Sequence, residues 1–273
     1  MSGPTVNTLA ILWVGDAERP EFSPAAAELA DLGQLTTRPE LAAAFAWLRD
    51  AEPTADVMVL AQAYPGQFAQ AAVDALRRLA PLARMISLLG SWCEGELRSG
   101  TPLAGTIRLY WHQWPARGRP ELLRLARGDA ALWALPATAT DEDRLLAAAG
   151  DGAKRSGLVL VYAAEKTQAE WLMAACRLRG YTAVHMASAT ATQVEGAAAA
   201  IFDGGEFCPH EAEELRALAA AMPGVPIVAL LEFPRIEDYH RALACGARAI
   251  LSKPLVVDDL YWQLDQFHAE GVP

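Results

Sequence analysis

The stretch GARAILSKPLVVDDL, residues 246–260, decides how the chain reads. A short apolar run ends in Lys253 followed by Pro254, and an amphipathic helical pattern, VVDDLYWQLDQFHA, begins directly after it. Upstream, apolar runs and helical patterns alternate. GLVLVYA (157–163) reads as a strand, and TQAEWLMAACRLRG as a helix ending at Gly180. YTAVHMA and GAAAAIFD (196–203) read as strands, PHEAEELRALAAAM as a helix, VPIVALL (225–231) as a strand and RIEDYHRALACG as a helix before the last strand.

The first half has the same order. LAILWVG (9–15) is a strand, and SPAAAELADLG a helix with Ser23 as N-cap, Pro24 at N1 and Gly33 at its end. RPELAAAFAWLRD is a second helix, ADVMVLA (55–61) a strand and QFAQAAVDALRRLA a helix. ARMISLL (83–89) and TIRLYWH (106–112) are strands, and RPELLRLARG closes the half as a helix. Strands alternating with helices imply βαβ units and a parallel sheet buried on both faces. Two such units of roughly five strands predict two doubly wound α/β domains. Their bounds are 1–130 and 157–273, joined by a linker over 131–156 in which the pattern weakens.

Composition limits what these domains do. The 273 residues are 53% hydrophobic and 21% charged, with a formal net charge of -10. That is globular, and its acidic balance argues against nucleic acid, which needs clustered Lys and Arg, and against anionic membranes. No apolar run approaches the roughly 18–20 residues of a membrane span, and the start lacks a basic n-region and a cleavage site. Cys93, Cys176, Cys208 and Cys245 show no paired spacing, which fits reduced thiols in a cytoplasmic protein.

Asp203 at the end of the third strand of the second half, VPIVALL, ALACGARAILSKP and the final helix together resemble the receiver domain of bacterial response regulators. The resemblance covers 157–270 and implies a flavodoxin- or CheY-like fold, Asp203 as phospho-acceptor and Lys253 as switch lysine. It also implies two adjacent acids for Mg²⁺ after the first strand, where this chain has Ala163 and Ala164. A hydroxyl is implied at the end of the fourth strand, where Leu231 stands, and an aromatic before the lysine, where Ile250 stands. Magnesium takes oxygen ligands in octahedral geometry, so alanines deny it a site and no cofactor or metal is expected. The first half is similar but more degenerate: Ala61 holds the acceptor position before Pro65 and Gly66, Gly15 and Asp16 hold the acid pair, and Trp114-Pro115 takes the Lys-Pro place. The chain thus reads as two tandem pseudo-receivers.

Cys93 with His112 could be drawn as a nucleophile pair, and with Glu94 and Glu96 as a metal cluster, but the spacing matches no zinc signature. Trp92, Trp111 and Trp114 read as an aromatic patch at the C-terminal edge of the first sheet, for interaction or for core packing. The leading expectation is a non-enzymatic signalling or scaffold protein working through protein contact. Receivers in general associate through their fourth helix, fifth strand and fifth helix. The matching surface carries Tyr239, Tyr261 and Trp262, so a homodimer through the second domain is expected, with any other protein partner unnamed. Two alternatives stay open: a phosphorylation switch at Asp203, and an enzyme or ligand binder at the strand ends using Asp16, Cys93 and His112.

Overall fold

The computed structural model describes residues 8–50, 55–96, 100–128, 133, 155–188, 194 and 196–269. The chain divides into two compact units, Met1–Gly150 and Asp151–Pro273. Most of the 131–156 linker expectation lies outside the described residues.

In the first unit the strands are β1 (Leu9–Val14), β2 (Gly33–Arg38), β3 (Val57–Gln62), β4 (Arg84–Leu89) and β5 (Ile107–Tyr110), all parallel, in the order β2-β1-β3-β4-β5. The central strands are buried on both faces, which is why they read as near-continuous apolar runs. The helices are α1 (Ser23–Leu32), α2 (Leu41–Asp50), α3 (Gln70–Leu79) and α4 (Arg119–Arg127).

Three details depart from the sequence reading. Helix α1 begins at Ser23 itself, with Phe22 in the cap position and no side-chain cap bond. Gly33 does more than end that helix, because it opens β2, a strand the apolar pattern did not reveal. An added Cβ there would stand 2.3 Å from the Leu9 carbonyl oxygen, so the edge strand closes against β1 only through glycine. Finally, β5 stops at Tyr110, and Trp111–Gln113 form a 3-10 turn that leads through one π turn, Trp114–Gly118, into α4.

In the second unit the strands are β6 (Leu158–Ala163), β7 (Thr182–Met186), β8 (Ala197–Asp203), β9 (Ile227–Glu232) and β10 (Ala249–Lys253). Their order is β10-β9-β8-β6-β7, the same succession as in the first sheet when each is counted from its own first strand. The helices are α5 (Lys166–Arg179), α6 (Pro209–Ala221), α7 (Ile236–Ala244) and α8 (Val257–Ala269). One core layer lies between the sheet and α6 and α7, including Phe202, Leu215, Leu231 and Ile250. The other lies between the sheet and α5 and α8, including Val161, Leu172, Leu260 and Phe267. At the N-terminal end of this sheet, Asp265 of α8 gathers Arg155, Arg179 and the Tyr181 hydroxyl, the last at 3.0 Å. Burial pushes the Asp265 carboxyl up, but the bonds from Arg179 and Tyr181 outweigh it and hold the group below its ordinary value.

Candidate functional site

Lys253 and Asp203 meet. Lys253 Nζ donates to Asp203 Oδ1 at 3.0 Å, joining the ends of β10 and β8, with Glu232 Oε1 at 3.9 Å from the same ammonium. Burial raises the Asp203 carboxyl above its ordinary value, and the bond from Lys253 only partly offsets this.

Around the pair, the main chain is already engaged. Gly204 N donates to Leu230 O at 2.9 Å and Glu232 N to Gly205 O at 2.8 Å. Gly205 N donates to the Glu211 carboxylate, whose other oxygen accepts from Cys208 N at 2.8 Å. Arg241 binds the Phe207 carbonyl and lies over the Phe207 ring. Glu232 and Arg241 were not singled out from the sequence, and Glu211, three residues after the Cys208 cap, has a capping spacing in the first turn of α6.

The magnesium implied by the resemblance does not fit here. In the sheet register Ala163 lies beside Asp203, and neither it nor Ala164 offers an oxygen. Instead His185 Nε2 approaches the Ala163 carbonyl at 3.0 Å. Leu231 is buried in the core and brings no hydroxyl. Among the described residues, no group of three or more His, Cys, Asp or Glu could hold a metal ion.

Register identifies the matching positions in the first unit. Ala61 pairs with Leu88 as Asp203 pairs with Leu230, and Tyr110 pairs with Leu89 as Ser252 pairs with Leu231. The residue after Tyr110, Trp111, therefore stands where Lys253 does, which corrects the placing of Trp114-Pro115 there. Gly15, beside Ala61, has φ +116, and an added Cβ would lie 2.8 Å from the Ala61 carbonyl oxygen, so that backbone rejects an acid. Asp16 is exposed and accepts from Glu18 N at 3.0 Å, a local turn bond.

The three tryptophans separate. Trp111 and Trp114 are 6% and 2% exposed, and only Trp92, at 70%, faces solvent. As an interaction patch the trio is corrected: the turns that carry Trp111 and Trp114 bury both, and Trp114 Nε1 donates to Glu28 of α1 at 3.0 Å. Cys93 and His112 take different partners. The Cys93 thiol donates to Gln62 O at 3.4 Å, while His112 meets Glu94 at 3.3 Å and stacks on Tyr110. Burial, then Glu96, pushes the Cys93 thiol up to about 12, which removes it as a nucleophile. Glu96 is bound by Gln62 at 2.9 Å and Arg108 at 2.8 Å.

On α7 and α8, Tyr239 packs half-buried against the core and Trp262 is half-buried. The Tyr261 hydroxyl donates to Ala175 O of α5 at 3.0 Å, so this ring seals α8 onto α5 instead of joining Tyr239 on the surface expected for dimerisation.

No family model matches the sequence, and no curated protein matches it. Solved structures do. The receiver domain of the Francisella response regulator 1452 is 17% identical, TM-score 0.37, over 42% of this chain and 98% of that one. A response regulator receiver domain protein from Clostridium thermocellum is 18% identical, TM-score 0.37, over 42% and 95%. A CheY-like receiver domain protein from Methanospirillum hungatei is 21% identical, TM-score 0.36, over 43% and 100%. Each unit has the doubly wound, flavodoxin-like fold. The strand order and parallel pairing of each sheet carry that statement, and at these identities it is a statement about fold alone.

Proposed function

We propose that this chain is a non-enzymatic signalling or scaffold protein built from two pseudo-receiver units, acting by protein–protein contact, with self-association through the second unit. The observation that carries the reading is the chemistry of matched register positions. In the first sheet they are Gly15, Ala61, Leu89 and Trp111; in the second they are Ala163, Asp203, Leu231 and Lys253. Phosphoryl transfer depends on a metal and positioned donors to stabilise spread-out charge. The first set has neither acceptor nor cation. The second keeps the acceptor and lysine but not the metal ligands or hydroxyl. No helix among the described residues is long and apolar enough to cross a membrane. The described cysteines are unpaired, which supports a reducing, cytoplasmic setting.

A phosphorylation switch at Asp203 is the second reading, favoured by the 3.0 Å contact from Lys253. One titration separates the two: thermal unfolding with Mg²⁺ and beryllofluoride, a phosphoryl mimic, on the native chain and on Asp203→Asn. A ligand that binds only the folded state raises its stability. Scaffold function predicts no shift in either protein. A rise in the native chain that disappears in Asp203→Asn establishes the switch instead.

A further inference from the structure

Among the described residues of the second unit, the exposed large hydrophobic side chains are Trp171, Leu178, Val184 and Phe233, and none lies on α7 or α8. Trp171 and Leu178, 42% and 81% exposed, share α5 with exposed Ala174 between them. Residues three, four and seven apart fall on one helix face. The inner face of α5 is spent on the core through Ala169, Leu172, Ala175 and Cys176, so the outward stripe is a second, separate apolar face. Along one flank of it run exposed Lys166, Glu170 and Arg177.

We infer that α5 pairs with α5 of a second copy of this chain, antiparallel, about a twofold axis at Ala174. A twofold interface requires a surface complementary to itself, and this one meets that requirement in shape and in charge. Alanine on the axis lets two helices approach closely. Trp171 lies three residues before the axis and Leu178 four after it, so each indole enters the hole between Ala174 and Leu178 of the second copy. In an antiparallel pair like flanks meet. Glu170 lies four residues before the axis and Arg177 three after it, so they stand within one helical rise, about 1.5 Å along the axis, of each other across the pair. Two symmetric Glu170–Arg177 ion pairs result. Among the described residues Glu170 meets Lys166 at 3.7 Å and Arg177 reaches the Ala183 carbonyl at 3.5 Å, long contacts that each can give up at little cost. A single helix pair buries less than a standard interface, so the dimer is weak and concentration-dependent. This inference rests on reading the second unit as self-associating, and moves the contact from α7 and α8 to α5.

The test uses the full chain with Cys208→Ser, since Cys208 is the exposed native thiol. Sedimentation velocity over a concentration series is combined with oxidative cross-linking of Ala174→Cys on α5 and of His240→Cys on α7. The expected result is a dimer that cross-links at 174 and not at 240. Trp171→Glu weakens it at least about 30-fold, as for a hot-spot tryptophan. Glu170→Arg and Arg177→Glu each weaken it, and the two together restore it, a rescue that general surface stickiness does not give. A dimer that survives Trp171→Glu and cross-links at 240 overturns the inference while leaving self-association through the second unit in place. A monomer at every concentration overturns both and leaves the stripe to a different protein.

Discussion

Replacing Lys253 by methionine removes the ammonium and keeps the bulk of the stem. The side chains of Lys253 and Asp203 retain 19% and 10% exposure, so their pair is neither a surface nor a fully buried one. Surface pairs contribute about 0–1 kcal/mol, and deleting one partner of a buried pair costs about 3–5 kcal/mol. With Glu232 left as a second nearby negative charge, the loss at neutral pH falls between these limits, about 1–3 kcal/mol. For a domain of this size that lowers the unfolding midpoint of the second unit by roughly 4–12 °C. The pH dependence follows from the direction of the Asp203 shift. Burial already holds its carboxyl above the ordinary value, so ionising it in the folded state costs stability, and that cost fades as pH falls through the folded pKa. Removing Lys253 raises the carboxyl further. The Lys253→Met loss is therefore full at neutral pH and shrinks as the pH approaches the ordinary carboxylate range near about 4. Asp203→Asn removes the ionisation cost, leaves the protein at least as stable as the native chain at neutral pH, and rescues most of the loss when combined with Lys253→Met. Urea and thermal unfolding of the four proteins from about pH 4 to 8 measures this cycle. A Lys253→Met loss that stays constant with pH, or an Asp203→Asn loss as large as it, refutes the argument by making the pair a net stabiliser.

Burial and backbone geometry give three further tests, two of them in the first unit. Gly15→Ala forces a Cβ toward the Ala61 carbonyl from a φ of +116 and lowers stability by at least about 2 kcal/mol, read by urea unfolding. Trp111→Ala empties a core position and costs about 3–5 kcal/mol, whereas Trp92→Ala costs less than about 1 kcal/mol; equal losses contradict the separation of core from surface. With a thiol reagent near about pH 8, only Cys208 reacts in the native chain and all four cysteines react after unfolding, because burial pushes Cys93 and Cys176 up to about 12 and Cys245 is enclosed.

The fold was legible wherever burial on both faces wrote itself into the chain. β1, β3 and β8 have almost no polar residues because helices cover both sides. β2, GQLTTR, escaped because an edge strand is half-exposed and its residues carry no apolar run. Asp203 and Lys253 were legible through the resemblance to receiver domains, and the parallel register of β8, β9 and β10 brings their strand ends within reach of the lysine side chain. Trp111 and Trp114 were not, since their burial depends on two irregular turns that no periodicity announces. The direction of Tyr261 was hidden for a related reason. A helix covered on one side gives its aromatic residues a choice of neighbours, and only the packing of α8 on α5 reveals that Ala175 accepts its hydroxyl.

The gathering of Arg155, Arg179 and Tyr181 on Asp265 has a mechanical consequence. It fastens α8 to the sheet at the end opposite Lys253, through three groups from two different segments of chain. The helix is thus held along its length, by ion pairs at its tail and by buried Leu260 and the Tyr261–Ala175 bond nearer its head, so it moves with the sheet as one body.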